Sequence, residues 1–187
     1  MNGRYEVRLA GTGGQGLIFA GIILAEAAGV YGGLHVCSSQ AYGIVSRGGE
    51  SRSELVISEE EIDFPAVEKA DLLVAFSQDA FDRFAGETKT GGIIVVDSNL
   101  VKVDLPAELE TINTIALPLA RVALEKAGSE LFANVVTLGV ISVVSEVFRF
   151  GHIEKALGQR GATRRDANLK ALAEGRELGR NLAAAKV

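Results

Sequence analysis

Two short segments of this chain concentrate the residue types that could bind a charged ligand. Residues 11–16, Gly-Thr-Gly-Gly-Gln-Gly, strip side chains from a bend, so backbone N–H groups there can approach a phosphate or another anion closely. Gly11, Gly13 and Gly16 have the G-x-G-x-x-G spacing of a dinucleotide fingerprint, with Thr12, Gly14 and Gln15 between them. The acidic residue that would hold a ribose hydroxyl about 20 residues further on is missing. Leu34 to Gln40 contains no acid, and none follows before Glu50. A standard NAD site is therefore disfavoured. A Walker-type loop is excluded, because no Gly-Lys-Ser/Thr follows the turn. Close helix-to-sheet packing without any ligand is the competing reading of the same glycines.

The second segment runs from Gln40 to Gly49. Tyr42 offers a ring and a hydroxyl, and Arg47 a planar cation suited to phosphate or carboxylate. Gly48 and Gly49 permit close backbone approach. A hairpin-like turn carrying one exposed arginine is the alternative. Asp97-Ser98-Asn99 closes an apolar run at the position where α/β sheets gather binding residues. Asn99 is a candidate contact there, although the same residues would also serve as a turn and helix cap.

Other chemistry is sparse. His35 and His152 are the only imidazoles, and their settings read as structural or surface positions. Cys37, beside Ser38 in a strand-like run, reads as a small core residue. A single cysteine forms no internal disulfide, and this chain alone cannot build a cysteine-ligated zinc or iron–sulfur site.

These segments need a scaffold. Tyr5 to Ala10 alternates as a strand before the glycine turn, and an apolar helix-like run starts at Leu17. Leu34 to Ser38 reads as a second strand. Ser51 to Ser58 reads as a strand at a sheet edge with one exposed face. Asp71 to Phe76 and Gly92 to Asp97 are apolar runs of the kind covered on both faces of a parallel sheet. Between them, Gln78 to Phe84 is a helix, with Thr88 to Gly91 as the return turn. Glu110 to Ile115 is a further strand. Pro118 starts a helix that Gly128 ends, and Asn134 caps a long apolar helix reaching Phe148. Arg164 to Ala185 is a basic amphipathic helix. The predicted fold is an α/β, Rossmann-like, open and mostly parallel sheet sandwiched by helices, a single domain over 1–187.

With 187 residues the chain can bury a core without disulfides or metals. Its N-terminus lacks the pattern of a signal peptide, and its longest apolar stretches are shorter than the roughly 20 residues of a membrane span. A cytoplasmic protein without membrane contact is expected. The net charge of −5 is uneven, for residues 154–187 hold eight Lys/Arg against four Asp/Glu. That basic tail is a solvated helix face or a dock for an acidic partner, and without interleaved aromatics it is not a nucleic-acid surface. The apolar helix from Val135 and the first helix predict self-association of the isolated chain.

Taken together, the glycine turn with Ala20-Gly21 and the loop from Tyr42-Gly43 to Arg47-Gly48-Gly49 resemble the gamma subunit of 2-oxoacid:ferredoxin oxidoreductases. The resemblance continues through Ile62-Asp63-Phe64-Pro65, Lys69-Ala70-Asp71 and Asn134-Val135-Val136-Thr137-Leu138-Gly139, covering about residues 5 to 150. It implies a Rossmann-like subunit that assembles with alpha and beta chains, a delta chain being an optional third. It also implies oxidation of a 2-oxoacid with CoA to an acyl-CoA and CO2, with electrons passed to ferredoxin. Among relatives the 2-oxoglutarate type is expected ahead of pyruvate, branched-chain oxoacid and indolepyruvate types. Thiamine diphosphate, Mg and the iron–sulfur cluster are then expected in partner subunits, since neither a Gly-Asp-Gly motif nor cluster cysteines occur here. The chain would be non-catalytic, bind no cofactor alone, and line the CoA entrance. A regulatory nucleotide-binding module and a purely architectural subunit are the alternatives.

Overall fold

The computed structural model describes residues 3–43, 49–106, 109, 111–160 and 162–185. Strands β1 (Arg4–Thr12), β2 (His35–Tyr42), β3 (Glu50–Ser58), β4 (Ala70–Ala75), β5 (Thr88–Asp97) and β6 (Asn113–Leu117) form one sheet in the order β2-β3-β1-β4-β5-β6. β1, β4, β5 and β6 are parallel neighbours, and β3 is antiparallel to both β1 and β2. Only β3 runs against the rest, so the expected α/β architecture holds with one reversed strand inside it. Helices α1 (Leu17–Gly29), α2 (Gln78–Phe84), α3 (Leu119–Ala127), α4 (Ala133–Val144), α5 (Phe150–Arg160) and α6 (Arg165–Ala185) cover it. Among the described residues no single helix is long and apolar enough to cross a membrane.

The two faces are covered unequally. Val7, Leu9, Leu72, Val74 and Val95 join residues of α1, α3, α4, α5 and α6 in one apolar cluster. Ala10, Leu73, Ala75, Ile94 and Val96 meet Ala80, Phe81 and Phe84 of α2 on the other face. Successive side chains of a strand point to opposite faces, so continuous apolar runs such as Leu72 to Ala75 are needed where both faces are buried. The chain therefore leaves β1 toward one face and β4 toward the other. That divergence opens a crevice at the carboxyl ends of two adjacent parallel strands.

Several sequence-based expectations change. β3 is interior, and the edge is β2. The face of β3 expected to be exposed is covered, because Arg52 and Glu54 pack with Arg8 and the Phe84 ring. Thr88 to Gly91 already belongs to β5, which pairs Thr88 with Ala70 before a register shift. The last strand lies at Asn113–Leu117 rather than starting at Glu110. Gly128 ends α3 in the left-handed conformation as expected, with φ 84°.

Asn134 does not cap α4. That helix begins at Ala133 after a 3-10 turn, Glu130–Phe132, and the Asn134 amide reaches back to the Gly16 carbonyl at 3.0 Å. α4 ends at Val144, because Ser145 turns extended and hydrogen-bonds Tyr5 at 3.1 Å. Phe148, expected on that helix, instead meets Tyr5 edge-on at 6.3 Å between ring centroids. Phe150–Arg160 forms a separate helix that carries His152. α4 is buried within this chain, where added Cβ atoms at Gly139 and Gly175 would lie 2.2 Å from Leu172 O and 1.9 Å from Val136 O. Such glycines let α4 and α6 approach backbone to backbone. The part of the surface expected to drive self-association that lies on α4 from Ala133 to Ile141 is thereby covered.

Candidate functional site

The glycine turn lies where β1 hands over to α1. Gly14 and Gly16 have φ of 96° and 71°, a left-handed region that a β-branched residue avoids. Gln15 fastens the turn to the neighbouring βα connection. Its Oε1 accepts from Thr12 N at 2.8 Å, and its Nε2 donates to Phe76 O at 2.8 Å. A Cβ on Gly11 would lie 2.3 Å from Gln15 Oε1, so this bracing requires glycine there. Gly13 and Gly14 are exposed. Gly16 is the N-cap of α1 without a side-chain cap, and the first turn has no acid. The helix start thus presents backbone amides that its own side chains do not neutralise.

Gly13 N donates to Gly49 O at 2.8 Å, so the glycine turn and the end of the second segment share one rim. Gly43 N donates to Glu50 O at 2.7 Å, closing the base of the loop. Tyr42 is 71% exposed, its hydroxyl 3.4 Å from Gln40 Oε1. Arg47 and Gly48 lie outside the described residues. A cavity of about 170 Å³ opens beside the turn, lined in part by Gly11, Thr12, Glu50, Ser77 and Arg83. Asn99 is exposed and not among its lining residues. The neighbouring Asp97 is buried and structural, its carboxylate accepting from Asn99 N at 2.9 Å and Ala120 N at 2.6 Å.

Among the described residues the turn presents exposed glycines and a helix start without a side-chain cap, a backbone surface of the kind that suits an anion. Among the described residues no group of three or more His, Cys, Asp or Glu could ligate a metal. A cysteine-ligated iron–sulfur cluster has no fitting donor set in this chain alone, since Cys37 is its one cysteine.

Residues 6–178 match the family model described as pyruvate ferredoxin/flavodoxin oxidoreductase. The chain belongs to this family. Its homologues make it a subunit of a 2-oxoacid:ferredoxin oxidoreductase. It is 39% identical to the 2-oxoglutarate synthase subunit KorC of Methanocaldococcus jannaschii over 96% of both chains. The gamma subunit of a keto/oxoacid ferredoxin oxidoreductase from Geobacter sulfurreducens superposes with a TM-score of 0.81 at 38% identity, over 94% of this chain and 98% of that one. A 2-oxoglutarate:ferredoxin oxidoreductase from Magnetococcus marinus, solved with 2-oxoglutarate, coenzyme A and succinyl-CoA, shares the fold. Its TM-score is 0.85 at 22% identity, over 97% of this chain and 32% of that one.

Within this oxidoreductase subunit the motif residues divide between the two ends of the sheet. The glycine turn and Gly49 sit at the carboxyl rim, whereas Phe64 and Lys69-Ala70-Asp71 sit near the start of β1 at the amino end. Asn134 belongs to the rim although it lies on α4, because its amide holds the Gly16 carbonyl. Reading from sequence missed Glu50 and Arg83. Glu50 directly follows the loop glycines, which could have marked it. Arg83 is one charged residue on a short helix and carries no such mark.

Proposed function

We propose that the chain is the non-catalytic gamma subunit of a thiamine diphosphate-dependent enzyme that oxidises a 2-oxoacid, foremost 2-oxoglutarate. The products are acyl-CoA and CO2, with the electrons going to ferredoxin, and the glycine rim lines the CoA entrance. The alignment with the KorC subunit across nearly the whole chain supports 2-oxoglutarate. The observation that carries the CoA role is the crevice between β1 and β4, where exposed Gly13 and Gly14 meet an uncapped helix start. Phosphate groups fit such a backbone surface, and α/β sheets bind ligands where neighbouring connections diverge. Thiamine diphosphate with its magnesium and the iron–sulfur cluster belong to the alpha and beta chains, or a delta chain, and supply decarboxylation and electron transfer. This chain's part is to hold and orient CoA by backbone amides, in the cytoplasm.

The purified chain, assayed with 2-oxoglutarate, CoA and a viologen dye, is then colourless and inactive. In the enzyme reconstituted with its partner chains, Gly14→Val weakens CoA binding about tenfold or more without changing thiamine diphosphate occupancy. Arg47→Ala weakens it about as much, by removing a charge-assisted contact. Activity from the chain alone overturns the non-catalytic reading. Full CoA affinity in both folded, assembled variants assigns the rim an architectural role instead.

A further inference from the structure

Across the crevice from the glycine turn stands a group of arginines that the reading above leaves unused. Arg8, Arg52 and Arg83 all lie over the Phe84 ring, at 4.7, 5.3 and 4.9 Å from its centroid. Their three charges are answered by Glu54, Glu87 and Glu50. The Arg8 pairing is firm. Arg8 is 4% exposed, and its Nε is 2.6 Å from Glu54 Oε1, with Glu87 on its far side.

The outer pairing differs. Arg83 Nη1 and Glu50 Oε2 are 2.5 Å apart, yet the side chains are 58% and 38% exposed and both line the cavity beside Gly11 and Thr12. An exposed ion pair contributes little to stability, so a competing ligand can separate it cheaply. Glu50 also has a second cation within reach. Arg52 Nη1 is 3.8 Å from Glu50 Oε1, while Arg52 Nε faces Glu54 Oε1 at 3.6 Å. A donor is thus available for the carboxylate if it leaves Arg83.

We propose that Arg83 is a second anion contact of the crevice, facing the glycine turn, and that Glu50 occupies it as an internal substitute until a phosphate of the ligand displaces the carboxylate toward Arg52. The proposal rests on the reading of the rim as a CoA site. A phosphate carries more charge than a carboxylate and presents more acceptor oxygens to a guanidinium fork, so it competes effectively for Arg83. Glu50 would then favour phosphorylated ligands over weaker anions, which cannot repay its displacement.

Substitutions of the two partners should act in opposite directions. The readout is the Kd for CoA, by calorimetry on the assembled enzyme without oxoacid, together with the KM for CoA. Arg83→Gln raises both about tenfold, and Glu50→Gln lowers both about threefold, because the competitor is gone. In the double variant the gain from Glu50→Gln disappears, since it acts only through Arg83. Arg83→Lys, which keeps the charge should Arg83→Gln fail to fold, raises Kd by less. If Glu50→Gln and Arg83→Gln both weaken CoA binding, the pair is structural and the proposal falls. If neither moves Kd while Gly14→Val does, the proposal fails and the CoA site stands. If Gly14→Val also leaves Kd unchanged, the CoA reading fails and this inference with it.

Discussion

The two ends of the sheet are built on opposite principles. At the carboxyl end the chain uses glycine, bracing the turn through Gln15 and Asn134 while Gly13 and Gly14 stay exposed. At the amino end it uses charged side chains that are fully engaged with one another. Glu6 is 3% exposed and accepts from Arg4 Nε at 2.6 Å, Glu68 N at 2.7 Å and Lys69 N at 3.2 Å. Asp71 takes Glu6 N and Lys89 Nζ, each at 2.7 Å, and Arg4 donates to the carbonyls of Phe64 and Ala66. The amino end therefore ties down the β3–β4 connection, and the carboxyl end leaves backbone donors available.

Cavity size alone would mislead here. A cavity of about 640 Å³ lies at the amino end around Tyr5, Ser145 and His152. The crevice at the glycine turn is smaller, at about 170 Å³. Only the latter sits where two βα connections diverge, which is the geometric condition for ligand binding on an open α/β sheet.

The contrast can be broken most sharply at Gly16. A Cβ there would lie 2.3 Å from Asn134 Nδ2 on a backbone with φ 71°. Gly16→Val should cost about 4 kcal/mol from left-handed strain and overpacking combined. Gly128→Ala, also left-handed but with open space around it, should cost only about 1 kcal/mol. Thermal melts of both variants test this, and equal losses would mean that the turn's packing is unimportant.

Glu6→Ala should come next, at about 3 kcal/mol, since it strands buried donors and Arg4. Calorimetry on the assembled enzyme should find its CoA affinity unchanged. A weakened affinity would mean that the two ends are coupled.

Tyr5→Phe should be smallest, below about 1 kcal/mol at neutral pH. Burial raises the Tyr5 hydroxyl above its ordinary pKa of 10.0; the Ser145 hydrogen bond lowers it, and the charges of Asp71 and Glu146 raise it further. A raised folded pKa gives stability that is complete below 10.0 and is lost as pH climbs from there through the folded value. Melting curves from pH 8 to about 11 should therefore show the wild type losing more stability than Tyr5→Phe. Parallel curves would place the hydroxyl in water.

Local stereochemistry was legible in the amino-acid sequence. Glycines at positions 11 to 16 mark a turn because few other residues adopt its backbone, and Pro118 and Gly128 bracket α3 for the same kind of reason. Apolar runs at Leu72 to Ala75 and Ile93 to Val96 announce strands buried on both faces. Tertiary structure alone decided the rest, because those outcomes depend on partners distant in the chain. β3 entered the sheet between β1 and β2 through pairings such as Leu9 with Ser53. α6 covered α4 through Gly139 and Gly175, turning part of a surface expected to associate into core. Asn134 left its expected cap for Gly16, and Arg83 met Glu50 across the crevice. Backbone preferences act within a few residues and leave a trace in the sequence, whereas the choice of which charged and apolar faces meet is made only when the whole chain closes on itself.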